Sequence, residues 1–280
     1  MPVLDFILNC ACLLLWLNWR SRGLAAPERV AGVALISTLR RTRSAPGERW
    51  LSPLVLLAIL LVRAILYAQI GSTTHWTPRL TLEPLVLHFR SDHFSRMLLF
   101  SVLGFLQWLA GFYFSLLLLA AVNRRGSNQD SWLALVRAHL GRAAKLPAWL
   151  QLLLPAAVTF VCWMFVGPLL SAMQIQLPAG SFRHLAGQSF VIALGAWLLW
   201  QYVAAGVLVL HIVSSYVYLG RAALWNFAGL TARNLLRPVA WLPLRIGKID
   251  LVPVLALAAV VLAALFAPHL LRAIYVKLPL

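Results

Sequence analysis

The sequence predicts an all-α fold, a polytopic helical membrane protein with about six transmembrane helices arranged as tandem hairpins. Of the 280 residues, 62% are apolar and only 11% are charged, so a soluble globule of this length would lack the polar residues to cover its surface. Long apolar stretches also recur along the chain, and basic residues are concentrated in alternate loops. The composition excludes a cytosolic enzyme, a disordered protein and a secreted disulfide scaffold.

Six stretches are long enough to cross a bilayer, whose core of about 30 Å needs about 20 apolar helical residues. The first stretch also fits a signal peptide. However, no basic residue precedes its apolar run and Arg20 and Arg22 follow it, which favours an uncleaved helix. The predicted spans are residues 3–19, 52–70, 97–122, 149–173, 188–213 and 251–271.

The distribution of Lys and Arg predicts the orientation of these spans. Of the 24 basic residues, 17 lie in three alternate segments, residues 20–51, 123–148 and 214–250, and Arg63 lies inside a span. Basic loops resist translocation across a membrane. We therefore expect these three loops to be cytoplasmic, both termini to lie outside, and the protein to reside in the cell (inner) membrane.

The last four spans form two similar units, each a span, a basic loop containing Trp, Arg and Pro, and another span. They cover residues 97–173 and 188–271. Two spans per unit make this a parallel tandem repeat of hairpins. Residues 1–96 form an N-terminal membrane hairpin followed by an external loop.

The loop of the last unit has the form LLRPxRxxxP, then a glycine turn, Ile-Asp and a proline that opens the next helix. The matching positions are Leu235, Leu236, Arg237, Pro238, Pro243, Gly247, Ile249, Asp250 and Pro253. This stretch resembles the YggT (also called YlmG) family over about residues 205–270, with a degenerate copy over 100–170. The resemblance implies a non-enzymatic integral membrane protein linked to cell-envelope, division-related or cofactor-assembly processes; ion flux or an osmotic response is also suggested within the family.

The local chemistry of this loop predicts how the chain enters the last helix. Asp250 is placed to cap the exposed N–H groups at the helix start, and Pro253 falls in the first turn, where proline is tolerated. Gly247 supplies the turn before the helix. Pro238 and Pro243 prevent a continuous helix, which favours an extended or hinged segment along the membrane surface.

Two roles remain open for this loop. In one, it only anchors the chain through basic residues on anionic lipid and a tryptophan in the interfacial belt. In the other, it docks a partner protein or an anionic ligand. The predicted contact residues are Arg237, Pro238, Trp241, Pro243, Arg245 and Lys248.

The middle basic loop predicts a short interfacial helix. Leu133, Val136 and Leu140 recur at helical spacing, with basic residues at other positions. Lipid contact is the expected role of this helix.

Three intramembrane polar residues are candidate sites. Arg63 lies inside the second span, where it either snorkels or pairs with Asp5 of the first span. His211 lies in the fifth span beside two serines and is the best single candidate for a buried site, although such a histidine more often bonds a neighbouring helix. We expect no metal and no cofactor.

The predicted function is a non-enzymatic scaffold or assembly factor whose partners are anionic lipid headgroups and a membrane protein. Catalytic motifs are absent from the sequence, and the basic residues are spread over three loops, which argues against nucleic-acid binding. The alternative is an ion-flux or osmotic-stress protein related to potassium transport. Such a pore would be lined by Gln107, Ser115, Gln201, His211, Ser214 and Ser215.

Overall fold

The structure is a computed structural model that describes residues 2–22, 50–74, 76–126, 130–217, 223–239, 245–246 and 249–278. Its helices are α1 (Pro2–Arg22), α2 (Leu51–Thr74), α3 (Phe94–Val122), α4 (Ser131–Leu140), α5 (Ala148–Ala172), α6 (Phe182–Gly195), α7 (Trp200–Tyr216), α8 (Ala223–Leu236) and α9 (Val252–Val276). Short 3₁₀ turns follow three of them, at Gly141–Lys145, Ala196–Leu199 and Arg237–Val239.

Among the described residues, six helical segments are long and apolar enough to cross a membrane, which confirms the predicted fold class and number of spans. They are Val3–Ser21, Leu51–Gly71, Phe94–Val122, Ala148–Ala172, Phe182–Ser215 and Val252–Val276. The fifth combines α6, a 3₁₀ turn and α7, and it begins six residues before the predicted boundary at residue 188. Large apolar side chains on these segments face outward, as in Phe165 at 75% and Phe266 at 69% exposure, which suits contact with lipid.

The segment between α2 and α3 folds as a β-hairpin, an element that the sequence analysis did not predict. Strand β1 (Arg79–Leu82) pairs antiparallel with β2 (Leu85–His88), so that Arg79 lies opposite His88. Leu80 and Leu87 are buried while their neighbours along each strand are more exposed. The hairpin therefore has one face packed against the protein, as expected for alternating strand residues.

One compact unit consists of Met1–Tyr113 and Val166–Pro178. In it α1 packs along α2, and Cys12, Leu60 and Phe105 form a buried cluster. Polar bonds add to this packing, since the indole N–H of Trp16 donates to the hydroxyl of Tyr113 at 3.1 Å.

A second compact unit consists of Phe114–Phe165 and Ala179–Leu280. In it α7 packs against both α8 and α9. Two indole N–H groups donate to backbone carbonyls, Trp200 to Phe114 at 2.9 Å and Trp197 to Leu152 at 3.0 Å. Helices α3 and α5 each contribute residues to both units.

The two predicted hairpin units have partly similar orders of elements. Residues 94–172 run through a long helix, a short helix, a 3₁₀ turn and a long helix. Residues 182–276 begin with two helices joined by a 3₁₀ turn, α6 and α7, which together form the fifth span. A short helix, a 3₁₀ turn, a small strand pair and a long helix follow. The tandem repeat itself stays a prediction.

The loop before the last helix begins as a helix, α8, which the sequence analysis did not predict. Helix α8 ends at Leu236, immediately before Arg237 and Pro238. Asp250 lies in strand β4 (Ile249–Asp250), which pairs with β3 (Arg245–Ile246). Leu251 stands between Asp250 and the start of α9, and Pro253 lies in the first turn of that helix. The structure describes only the backbone of Asp250, so the capping role of its side chain stays a prediction.

Candidate functional site

The most fully connected polar site described in the second unit surrounds Asn123, at the end of α3. This side chain is completely buried. Its amide nitrogen donates to the hydroxyl of Thr231 at 2.9 Å and to the carbonyl of Leu119 at 3.0 Å, and its amide oxygen accepts from Asn234 at 2.9 Å. Because Thr231 and Asn234 belong to α8, one asparagine ties the end of α3 to that helix.

Arg137 of α4 joins the same site from the other side. Its Nη2 lies 3.3–3.4 Å from the backbone carbonyls of Asn123, Arg124 and Gly126. These carbonyls follow the C-terminal end of α3, where the helix dipole favours a positive charge. The guanidinium of Arg137 thus stabilises the turn after α3.

The position of α4 is set by its buried face and its cap. The helix itself confirms the prediction, but Leu133 and Val136 are buried within the protein, which differs from the lipid contact expected of this apolar face. The carboxylate of Asp130 accepts a hydrogen bond of 3.0 Å from the backbone N–H of Trp132, which satisfies one of the unpaired donors at the start of α4. Contact between α4 and α8 completes the assembly.

We call α4, the 3₁₀ turn after it, α8 and the turn 123–126 the basic platform. Several of its side chains are exposed and positively charged. They are Arg124, Arg125, Arg142, Lys145, Arg233 and Arg237. Hydrogen bonds hold the backbone beneath these cations, so the platform presents positive charge from an ordered surface.

The structure brings part of the predicted contact set to this platform. Arg237 and Pro238 are exposed in the 3₁₀ turn directly after α8. For Arg245 the structure describes the backbone, which lies opposite Asp250 in the β3–β4 pair. The other predicted positions lie outside the described residues: Trp241, Pro243, Gly247 and Lys248.

A second polar site lies between membrane helices of the first unit, and it confirms the predicted pairing of Arg63 with Asp5. Nη2 of Arg63 donates to Oδ1 of Asp5 at 2.7 Å, and its Nη1 donates to the amide oxygen of Asn9 at 2.8 Å. The hydroxyl of Tyr67 donates to the same Asp5 oxygen at 2.5 Å. Four side chains of α1 and α2 therefore form one cluster, which we call the intramembrane cluster.

The surroundings of Arg63 suit a buried guanidinium. The side chain is 2% exposed, and its Cζ lies 5.4 Å and 5.5 Å from the ring centres of Tyr67 and Phe100. Both rings lie within the range of cation–π attraction. Gly104 of α3 leaves room beside Nη2, since a Cβ there would lie 3.6 Å from it.

His211 lies where α7 faces α8. A Cβ added at Gly229 of α8 would lie 4.0 Å from its Nδ1, and its backbone carbonyl accepts from the hydroxyls of Ser214 and Ser215 at 2.9 Å and 2.8 Å. Within the described part of the chain, no group of three His, Cys, Asp or Glu residues could hold a metal ion.

Sequence reasoning named Asp5 and Arg63 but missed Asn123 with its partners in the first site and Asn9 in the second. Asn123 precedes two arginines at the end of a span, where polar residues are ordinary, and its bonds to Thr231 and Asn234 join positions more than 100 residues apart. The place of Asn9 in the second site could have been predicted from its spacing in the sequence. It lies four residues after Asp5 and therefore on the same face of α1.

The fold and these two sites define a multi-pass, α-helical membrane protein. No family model, curated protein or solved structure matches this chain.

Proposed function

We propose that this chain is a non-enzymatic membrane protein of the YggT type that acts as a scaffold or assembly factor. In this proposal the basic platform lies on the cytoplasmic side of the inner membrane, both termini lie outside, and the platform engages a membrane-protein partner. The observation that carries the proposal is the bonding of Asn123 to α8 together with that of Arg137 to the turn after α3.

This bonding supports a docking role because it orders a surface in advance. Docking loses less entropy when the contact surface is already held in one geometry. The buried face of α8 includes Phe227, Ala228 and Thr231, while Asn226, Leu230 and Arg233 are exposed. Spacings of three and four residues place those exposed positions along one stripe of the helix.

The intramembrane polar groups support a structural role for the spans rather than a conducting one. Asp5 and Arg63 neutralise each other. Of the residues predicted to line a pore, Gln107 donates to the carbonyl of Thr81 in the hairpin at 2.8 Å, and the hydroxyls of Ser214 and Ser215 bond within α7. Each of these three side chains therefore donates a hydrogen bond to the backbone of the protein.

Site-specific photo-crosslinking in cells producing the full chain tests the proposal. A photoreactive residue at Asn226, on the exposed stripe of α8, should crosslink to one defined membrane protein. The same residue at Leu177, which is 84% exposed and lies in a segment predicted to be outside, should not. Deleting the gene for this chain should also reduce assembly of the captured protein into its complex.

Two results would contradict the scaffold proposal. One is identical crosslinking from residues 226 and 177, combined with unchanged assembly of every captured protein in the deletion strain. The other is potassium flux by the purified chain in liposomes above that of empty vesicles, which would favour the ion-flux alternative.

A further inference from the structure

Four exposed arginines of the basic platform gather around a single hydrogen bond, the one between Asn123 and Asn234. Arg124 and Arg125 directly follow Asn123, while Arg233 precedes Asn234 and Arg237 lies one turn beyond it. Consecutive Cα atoms are about 3.8 Å apart. Four arginines from distant parts of the sequence therefore have their backbones close to one hydrogen bond.

Nothing described near these arginines neutralises them. The sequence of the second unit contains two carboxylate side chains, Asp130 and Asp250. Asp130 accepts the capping bond of α4, and none of the four arginines forms an ion pair among the described side chains. Like charges so close together repel one another, and a bound anion would relieve this repulsion.

Apolar side chains lie beside the arginines. Leu230 of α8, three residues before Arg233, is 37% exposed, and Val239, two residues after Arg237, is 39% exposed. An acidic protein surface or a nucleic acid would match the charge but would leave these side chains in water. A bilayer interface matches both, since it offers anionic headgroups beside acyl chains.

We infer that the arginines at positions 124, 125, 233 and 237 bind the headgroups of anionic phospholipid in the adjoining leaflet. This inference rests on the proposed function in that it names a ligand of the same platform. The lipid would hold α8 at the interface and set the height at which the platform meets its partner.

Binding of phosphatidylglycerol to the purified full chain tests the inference. We would count retained lipid by native mass spectrometry across a titration in neutral detergent, with phosphatidylcholine as the reference lipid. Phosphatidylglycerol should bind at least tenfold more tightly. Each arginine changed to glutamine should weaken that binding about fivefold, the attraction of one basic residue to an anionic surface.

A charge-matched variant controls for loss of net charge. In this variant, four exposed basic residues of the segments predicted to be outside are changed to glutamine. The variant should bind phosphatidylglycerol as the parent chain does. The four residues are Arg79, Arg183, Arg272 and Lys277. A platform variant with lysine at all four arginine positions should keep most of the binding, and this variant also serves if the glutamine variant fails to fold.

Three results would overturn the inference: equal affinity for both lipids, equal losses in platform and control variants, or displacement of the lipid by millimolar inorganic phosphate. The last would indicate a soluble phosphate ligand. Since no partner is present in this assay, its failure leaves the scaffold proposal standing. Loss of specific crosslinking with lipid binding intact would contradict the scaffold proposal alone.

Discussion

Breaking the pair between Asp5 and Arg63 should strongly destabilise the protein. Asp5→Asn leaves the guanidinium of Arg63 charged at 2% exposure, and Arg63→Met leaves the carboxylate of Asp5 without its counter-ion. Removing one partner of a buried pair costs about 3–5 kcal/mol. We therefore expect each single change to lower the free energy of unfolding by about that amount.

Removing both charges should cost much less than the sum of the single changes. The variant Asp5→Asn/Arg63→Met leaves no charge buried, but the amide oxygen of Asn9 loses its donor. Such an unpaired group costs about 1–3 kcal/mol. The double-mutant cycle should therefore show a coupling of at least about 2 kcal/mol.

The measurement is reversible unfolding in mixed micelles, followed by circular dichroism as the fraction of denaturing detergent increases. The control is Arg90→Met, which breaks the pair of Arg90 with Asp92 at an N–O distance of 3.1 Å and with side chains that are 73% and 40% exposed. An exposed pair of this kind contributes about 0–1 kcal/mol. If Arg63→Met costs no more than Arg90→Met, or if the Asp5–Arg63 changes are additive, the assignment of a buried and interdependent pair is refuted.

Two further changes test the packing of each unit. Asn123→Ala removes three hydrogen bonds of a buried amide and should cost about 2–4 kcal/mol of the free energy of unfolding in the same assay. As a control, Asn226→Ala on the exposed stripe of α8 should change stability by less than about 0.5 kcal/mol. Equal effects of the two changes would contradict the role of Asn123. Gly71→Ala would place its new Cβ against Ser91, which follows the hairpin, and should lower the free energy of unfolding by about 1–3 kcal/mol. Gly206→Ala in α7 has open space around it and should be neutral or slightly stabilising. A neutral Gly71→Ala would show that the hairpin does not pack against α2 as the structure describes.

The spans could be predicted from the sequence because a bilayer imposes one requirement on all of them. A segment must be apolar over about 20 residues and must satisfy its backbone bonds internally. For the same reason the Asp5–Arg63 pair was predictable, since a charge such as that of Arg63 within a span needs a partner and Asp5 was the one carboxylate within the predicted spans. The helix at 131–140 was predictable from the periodicity of Leu133 and Val136.

The elements that the sequence analysis missed do not have to cross a bilayer, so no such requirement shapes their sequences. The hairpin has four residues in each strand, too few for a clear alternation, and buries Leu80 and Leu87 only because the protein offers a surface to cover. Helix α8 was obscured by the prolines after it, which end the helix at Leu236 rather than prevent it. The strand pair of β3 with β4 was missed because each strand has only two residues, too few to show any alternation.

The sequence by itself therefore determined the fold class and the number of membrane helices, and it limited the intramembrane charge of Arg63 to snorkelling or to pairing with Asp5. Each of these follows from the chain and the solvent it must occupy. Only the tertiary structure decided which basic residues share a surface, because that depends on the bonds of Asn123 to Thr231 and Asn234. Contacts between residues more than 100 positions apart leave no local pattern, so the platform becomes visible only when α3, α4 and α8 pack together.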